Sequence, residues 1–134
     1  MRAKTDEKRN AIIAAATAVF EEVGYRAASM AMISARLGGS KTTLYGYFHS
    51  KEQLFATVVT QALEETGDEM LASLAPYGDI ATVLNRYGRL YRDLVTRPEI
   101  LAIQRTVLSE SQTTGLGREV YLLGPQRGIA TLTD

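Results

Sequence analysis

Apolar side chains recur three and four residues apart along almost the whole chain, and no stretch alternates with the two-residue period of a half-buried strand. That spacing commits the chain to helices that each bury one face, so the predicted fold class is all-α. Caps and breakers divide the pattern. Thr5 reads as an N-cap with Asp6 and Glu7 in the first turn, and Ile12, Ile13, Ala16, Val19, Phe20 and Val23 form a stripe that Gly24 ends. Ser29 caps a short second helix with Met30, Ile33 and Leu37 inward, and Gly38-Gly39 breaks it. Ser40 caps a third, very short helix from Lys41 to Tyr45. Ser50 and Gln53 form a capping box for a long fourth helix bearing Leu54, Phe55, Val58, Val59, Ala62, Leu63, Met70 and Leu74.

The second half continues in the same way. Pro76-Tyr77-Gly78 is a turn, and Asp79 caps a fifth helix with the stripe Ile80, Val83, Leu84, Tyr87, Leu90, Tyr91, Leu94. Thr96 to Glu99 combines a second capping box with a first-turn proline and opens a sixth helix that runs to about Leu108. Ser109 to Gly117 reads as a polar loop. A seventh helix begins near Arg118 and meets Gly124-Pro125, which kinks or interrupts it.

Composition narrows the class. The chain has 134 residues, 46% of them hydrophobic, enough for one small domain or two lobes that share a core. It has no cysteine, which excludes disulfide frameworks and Cys-ligated metal sites and favours a reducing compartment. No apolar run approaches the ~20 residues of a membrane span, and Asp6 and Glu7 argue against a signal peptide. The zero net charge is an average over two unlike halves. Residues 1–51 carry eight Lys/Arg against four acids, and the remainder carries seven Arg against eleven acids. A basic first part suggests an anionic partner for that part alone; chance clustering of solvated charge is the alternative.

Two short helices joined at Gly38-Gly39 make a candidate helix-turn-helix, in which the second helix presents Lys41, Thr42 and Thr43 outward and Ile33 and Leu44 fill the small core between. Small helical hairpins that bind nothing share this pattern. The following run, Thr42-Thr43-Leu44-Tyr45-Gly46-Tyr47-Phe48-His49-Ser50-Lys51-Glu52-Gln53-Leu54-Phe55, resembles the signature of the TetR/AcrR family of transcriptional regulators. Upstream, Arg9, Ile12, Ala16, Phe20, Gly24-Tyr25, Ser29 and Ile33 fall at matching places, so the resemblance covers Arg9 to Phe55.

The resemblance implies a DNA-binding head over 1–49, a helical regulatory domain over 50–134, and duplex DNA as partner. It implies that Lys41, Thr42 and Thr43 meet bases or nearby phosphates. Tyr45, Tyr47, Lys51 and Ser29 would meet the phosphate backbone, with His49 close to it, while Leu44 and Phe48 are structural. Three positions depart from the family pattern: Gly39 stands where a small apolar residue packs the turn, Gly46 replaces a larger residue, and Ala31 is too short for a base. In such regulators the C-terminal domain encloses a small-molecule pocket whose ligand moves paired heads out of register. Met70, Tyr87, Tyr91, Ile103 and Val107, with Arg86 or Arg105, are candidates to line a site for a small hydrophobic or aromatic ligand; plain core is the alternative for each.

Other features carry less. His49 is the only histidine, and with no cysteine or paired carboxylate near it a metal role has no support. Glu64, Glu65, Asp68 and Glu69 read as a solvated face. No nucleophile–base constellation or Gly-rich phosphate loop appears, so the expectation is a non-enzyme without cofactor. The family normally continues past this point with helices that pair two subunits. The expectation is therefore either a monomer that binds DNA weakly or, the favoured outcome, a homodimer formed through helices after Pro98, with Ile100, Leu101, Val107, Leu122 and Leu123 underpacked in a lone chain. The full expectation is a cytoplasmic, nucleoid-associated bacterial repressor released from its operator by a ligand. The competing reading is a ligand-binding or protein-interaction module that no longer binds DNA productively.

Overall fold

The computed structural model describes residues 2–74 and 78–133, without the side chain of Glu65. Eight helices follow in order: α1 Arg2–Ala27, α2 Met30–Leu37, α3 Lys41–Tyr47, α4 Lys51–Ala72, α5 Ile80–Val95, α6 Pro98–Glu110, α7 Leu116–Leu123 and α8 Pro125–Thr133. The described residues contain no strand, as the apolar spacing predicts. The expected turn at Pro76-Tyr77 lies outside the described residues.

The serine caps form as expected. The hydroxyls of Ser29, Ser40 and Ser50 accept from the backbone N–H groups of Met32, Thr43 and Gln53 at 3.2, 3.2 and 3.0 Å. Gln53 does reach back across the start of α4, but to the N–H of His49 (2.8 Å) rather than to that of the cap residue. Asp79 caps α5, accepting from the Ala81 N–H at 2.8 Å and from the Thr82 hydroxyl at 2.5 Å. These contacts hold its carboxyl below the usual aspartate range, the Thr82 hydroxyl first and the Ala81 N–H second.

Several boundaries differ from the sequence reading. α1 starts at Arg2, so Thr5 lies inside the helix and Asp6 and Glu7 are past its first turn. Arg2, Ala3 and Lys4 are good helix formers, and nothing in them stops the helix. Gly24 does break α1, at φ 78° and ψ 166°, but one helical turn resumes beyond it to Ala27. α3 continues past Tyr45 to Tyr47. The cap of α6 is Arg97, with Pro98 in the first turn; the Thr96 hydroxyl turns back to the Arg92 carbonyl at 2.8 Å, so the expected capping box is absent. The loop expected over Ser109–Gly117 shrinks to residues 111–115, because α6 runs on to Glu110 and α7 begins at Leu116. Gly124-Pro125 separates α7 from α8, as its sequence requires.

One core joins the first four helices to α7. Ile12, Ala16, Ile33, Leu44, Leu54 and Leu116 are fully buried, with Ile13, Val19, Phe20, Tyr25, Met30, Phe48, Phe55 and Val59 almost so. Phe55 meets Phe20 edge-on at 5.0 Å between ring centroids and Tyr25 at 4.8 Å. Val23, expected inward, is exposed, because the stripe of α1 ends one turn earlier on the buried side. α4 packs closely along α7, and Leu116 at the start of α7 enters the core shared with the first three helices. α5 leans on the end of α4 and on α6, tied by the Arg86 guanidinium donating to the Ser73 carbonyl at 2.7 Å.

Candidate nucleic-acid interface

The surface built around α3 begins with the turn before it. Gly38 adopts φ 73°, a left-handed conformation that glycine takes without steric cost, and donates to the carbonyls of Ser34 and Ala35. The buried Ser34 hydroxyl donates to the Gly39 carbonyl at 2.9 Å and closes the turn from inside.

α3 is anchored by one face. Leu44 is fully buried and Phe48, its cap residue, is nearly so, with the Arg9 guanidinium 5.3 Å from the Phe48 ring centroid. The opposite face is open. Lys41, Thr42 and Tyr45 are exposed; Thr43 and Tyr47 are half-buried. The Thr43 hydroxyl lies 3.0 Å from that of Ser40, which fixes its rotamer while leaving it able to hydrogen-bond outward. Ser29 is half-buried at the start of α2, and its hydroxyl uses an acceptor site for the cap, so its proton remains free to donate.

A groove of about 660 Å³ separates α3 from the first turns of α1, lined by Lys4, Thr5, Glu7, Lys8, Ala11, Thr43 and Tyr47. Among the described residues, Lys4, Lys8 and Lys41 take part in no ion pair. The Lys8 ammonium lies 4.0 Å from where a side chain on Gly39 would begin, so α1 places positive charge over the helix-turn-helix turn. Lys4 and Lys8 belong to the basic first part that suggests an anionic partner, but the sequence does not single them out as site residues. Their four-residue spacing on α1 was the available signal, but only the fold shows that this face lies beside α3.

Two of the residues named from sequence, Lys51 and His49, have partners within the chain. The Lys51 ammonium donates to the carbonyls of Tyr25 at 2.8 Å, Ala28 at 3.0 Å and Arg26 at 3.4 Å, and it sits 4.3 Å from the Tyr25 ring centroid. Its donors are occupied by carbonyls at and just past the C-terminus of α1, where a cation also meets the negative end of that helix. His49 is largely exposed, with Nε2 3.8 Å from the Glu119 carboxylate on α7.

The sequence-named ligand candidates are spread over three helices. Met70 is buried on α4, while Ile103 and Val107 on α6 pack against the core shared with the head. Tyr87 is half-buried and Tyr91 is exposed on α5. The groove on α5 is lined by Thr82, Asn85, Arg86, Arg89 and Leu90 and contains none of the five. Of the residues expected at a dimer surface, Ile100 is buried within the single chain, Val107 and Leu123 are half-buried, and Leu101 and Leu122 are exposed. No helix of the described residues is long and apolar enough to cross a membrane. No group of three or more His, Asp or Glu among them could hold a metal ion.

With this geometry in place, comparison with known proteins identifies the fold. The profile of bacterial regulatory proteins of the tetR family matches residues 12–58, which span the buried stripe of α1, the helix-turn-helix and the start of α4. The chain belongs to the TetR family. A second TetR-type profile, the C-terminal domain of AefR-like transcriptional repressors, matches residues 82–134. The HTH-type transcriptional activator FasR of Mycolicibacterium smegmatis is 34% identical over 128 residues, covering 84% of this chain and 58% of FasR. YhgD of Bacillus subtilis, an HTH-type transcriptional regulator, is 31% identical over 74 residues, 53% of this chain and 39% of that protein. Among solved structures, a TetR-family regulator from Mesorhizobium loti superposes with a TM-score of 0.68 at 30% identity, covering 93% of this chain and 64% of the other. The flavonoid-responsive regulator FrrA superposes with a TM-score of 0.66 at the same 30% identity and the same coverage. The chain thus spans less than two thirds of each of these relatives.

Proposed function

We propose that this TetR-family chain is a sequence-specific DNA-binding regulator that lays α3 in the major groove of duplex DNA. The observation that carries this reading is the open face of α3: exposed Lys41, Thr42 and Tyr45 on a short helix locked from behind by Leu44 and Phe48. Lys41 and the hydroxyls of Thr42 and Thr43 suit base edges and adjacent phosphates. Tyr45, Tyr47 and Ser29 place hydroxyls for the flanking backbone. Lys4 and Lys8 add phosphate contacts from α1. Lys51 in this reading is a structural cation, because a phosphate would have to take its protons from three carbonyls.

We further propose that the chain acts as a repressor released by a small hydrophobic or aromatic molecule, with two copies sharing a two-fold site. The match of 82–134 to the C-terminal domain of AefR-like repressors supports the sign of regulation, and the flavonoid-responsive relative supports a small-molecule signal. Activation is the second reading, favoured by the likeness to the activator FasR. One head with a two-turn recognition helix binds weakly and in a salt-sensitive way, so tight binding requires two heads held together.

The test is selection of bound sites from random duplex DNA, followed by titration over a range of salt concentrations. Lys41→Ala and Lys8→Ala should each lower the salt slope by about one, as loss of one phosphate contact does, and Thr43→Ala should alter the ranking of sites. Lys51→Ala should leave the slope unchanged. No enrichment from the pool would defeat the DNA-binding reading. A reporter carrying the selected site, with and without added flavonoid, separates repression from activation.

A further inference from the structure

The end of α1 is held by more charge than its length requires. The Arg26 guanidinium donates through Nε and Nη2 to Oε1 of Glu110, at 2.9 and 2.7 Å. The two ends of this pair are unlike. The Glu110 side chain is only 11% exposed at the last residue of α6, whereas Arg26 is 82% exposed. A carboxylate that deep needs its cation, while the guanidinium could leave at little cost. Next to it, Tyr25 is the hub of the same corner. Its ring lies beneath the Lys51 ammonium, stacks on Phe20 and meets Phe55 edge-on, and its buried hydroxyl faces Glu52 and Thr114. Burial first, and the Glu52 carboxylate second, push the Tyr25 phenol well above the usual tyrosine range, so it stays protonated at any physiological pH.

These contacts converge on residues 25–28, the link that ends at Ser29, the cap of α2. We propose that Glu110 is a positioning residue for DNA binding: through Arg26 it fixes the α1–α2 link, and with it Ser29 and the start of α2, so that the α6–α7 corner sets the head's geometry without touching DNA. This rests on the DNA-binding reading above. The fully buried Leu116, the first residue of α7, lies in the same core as Leu44 and Ile33, so a shift of the corner moves the packing of both helix-turn-helix helices as well as the ion pair. The exposed guanidinium reaches in to a fixed, buried carboxylate, so what the pair sets is the geometry of the link.

The test uses the full chain, with duplexes that it selects from a random pool. Glu110→Gln, Arg26→Gln and the double variant are compared for affinity, salt slope, denaturation midpoint and amide exchange over 25–32. Each single variant should weaken binding about five- to tenfold, within the range that coupled residues away from a ligand produce. The double should be no worse than Glu110→Gln, the salt slope should not change, and the amides of Ala28 and Met32 should exchange faster while those of α3 do not. If Arg26→Gln lowers the slope by about one and Glu110→Gln leaves affinity alone, Arg26 is a phosphate contact and the proposal fails. Unchanged exchange over 25–32 in Glu110→Gln overturns it whatever the DNA result. If the unaltered chain selects no duplex, the DNA-binding reading itself falls and takes the positioning role with it.

Discussion

α1 and α5 carry apolar stripes of the same spacing and meet opposite fates. From α1, Ile12 and Ala16 are fully buried and Ile13, Val19 and Phe20 nearly so, because α2 and α4 cover that face. From α5 no residue is buried; Ile80 is 76% exposed, Leu84 57% and Tyr91 52%. A stripe states which face of a helix avoids water, and only the neighbours decide whether it succeeds. The contrast also separates two kinds of anchoring. The region around α3 is held by a dense shared core, and α5 by a polar cap at one end and one arginine bond near its first turns.

The comparison breaks most visibly at Leu116. Leu116→Ala, although far from the helix-turn-helix in sequence, should cost about 2–5 kcal/mol, as truncation of a fully buried leucine does, and should melt α1–α4 together with α7. Denaturation followed by amide exchange of the Ile33 and Leu44 region measures this. If α1–α3 keep their protection while α7 opens, the shared core is two cores and the contrast must be redrawn.

Next in size is the cation beneath the head. Lys51→Met keeps much of the stem but removes three donors from the carbonyls of Tyr25, Arg26 and Ala28, and should destabilise by about 1–3 kcal/mol. Urea midpoints would show it. A neutral outcome would mean that water serves those carbonyls equally well.

On the other side of the comparison the effects are small. Leu84→Ser on the open face of α5 should change stability by no more than about 0.5 kcal/mol in a monomeric chain, read from the same urea curves. A clear loss that grows with protein concentration would show that a second copy covers this face. Smallest is the cap of α5. The Asp79 carboxyl has a folded pKa below its ordinary value, so its contribution is complete above the ordinary aspartate pKa and is lost as pH falls through the depressed one. Protection of the Ala81 and Thr82 amides, relative to their intrinsic exchange rates, should fall across that acid window in the native chain, and Asp79→Ala should abolish that change in protection.

The chain order of helices, the serine caps, the break at Gly124-Pro125 and, apart from Val23 and Ala62, the inward faces of α1 to α4 were legible in the sequence, because they depend on neighbours three or four residues apart. The helix-turn-helix was legible for the same reason, and the run from Thr42 to Phe55 gave its family. Leu116 was hidden, since two glycines and a run of polar residues around it look like a loop, and its burial comes from the packing of α7 along α4. Lys51 was hidden in another way. Its sequence position at the start of α4 fits a phosphate, and only the fold brings the carbonyls of residues 25, 26 and 28 under its ammonium. The pairing of Arg26 with Glu110 spans 84 positions, and no local pattern encodes a contact of that separation. Local spacing therefore determined what each helix is and which side it shows, while the partners of its charges and of its last apolar turn were decided by where the chain folds back.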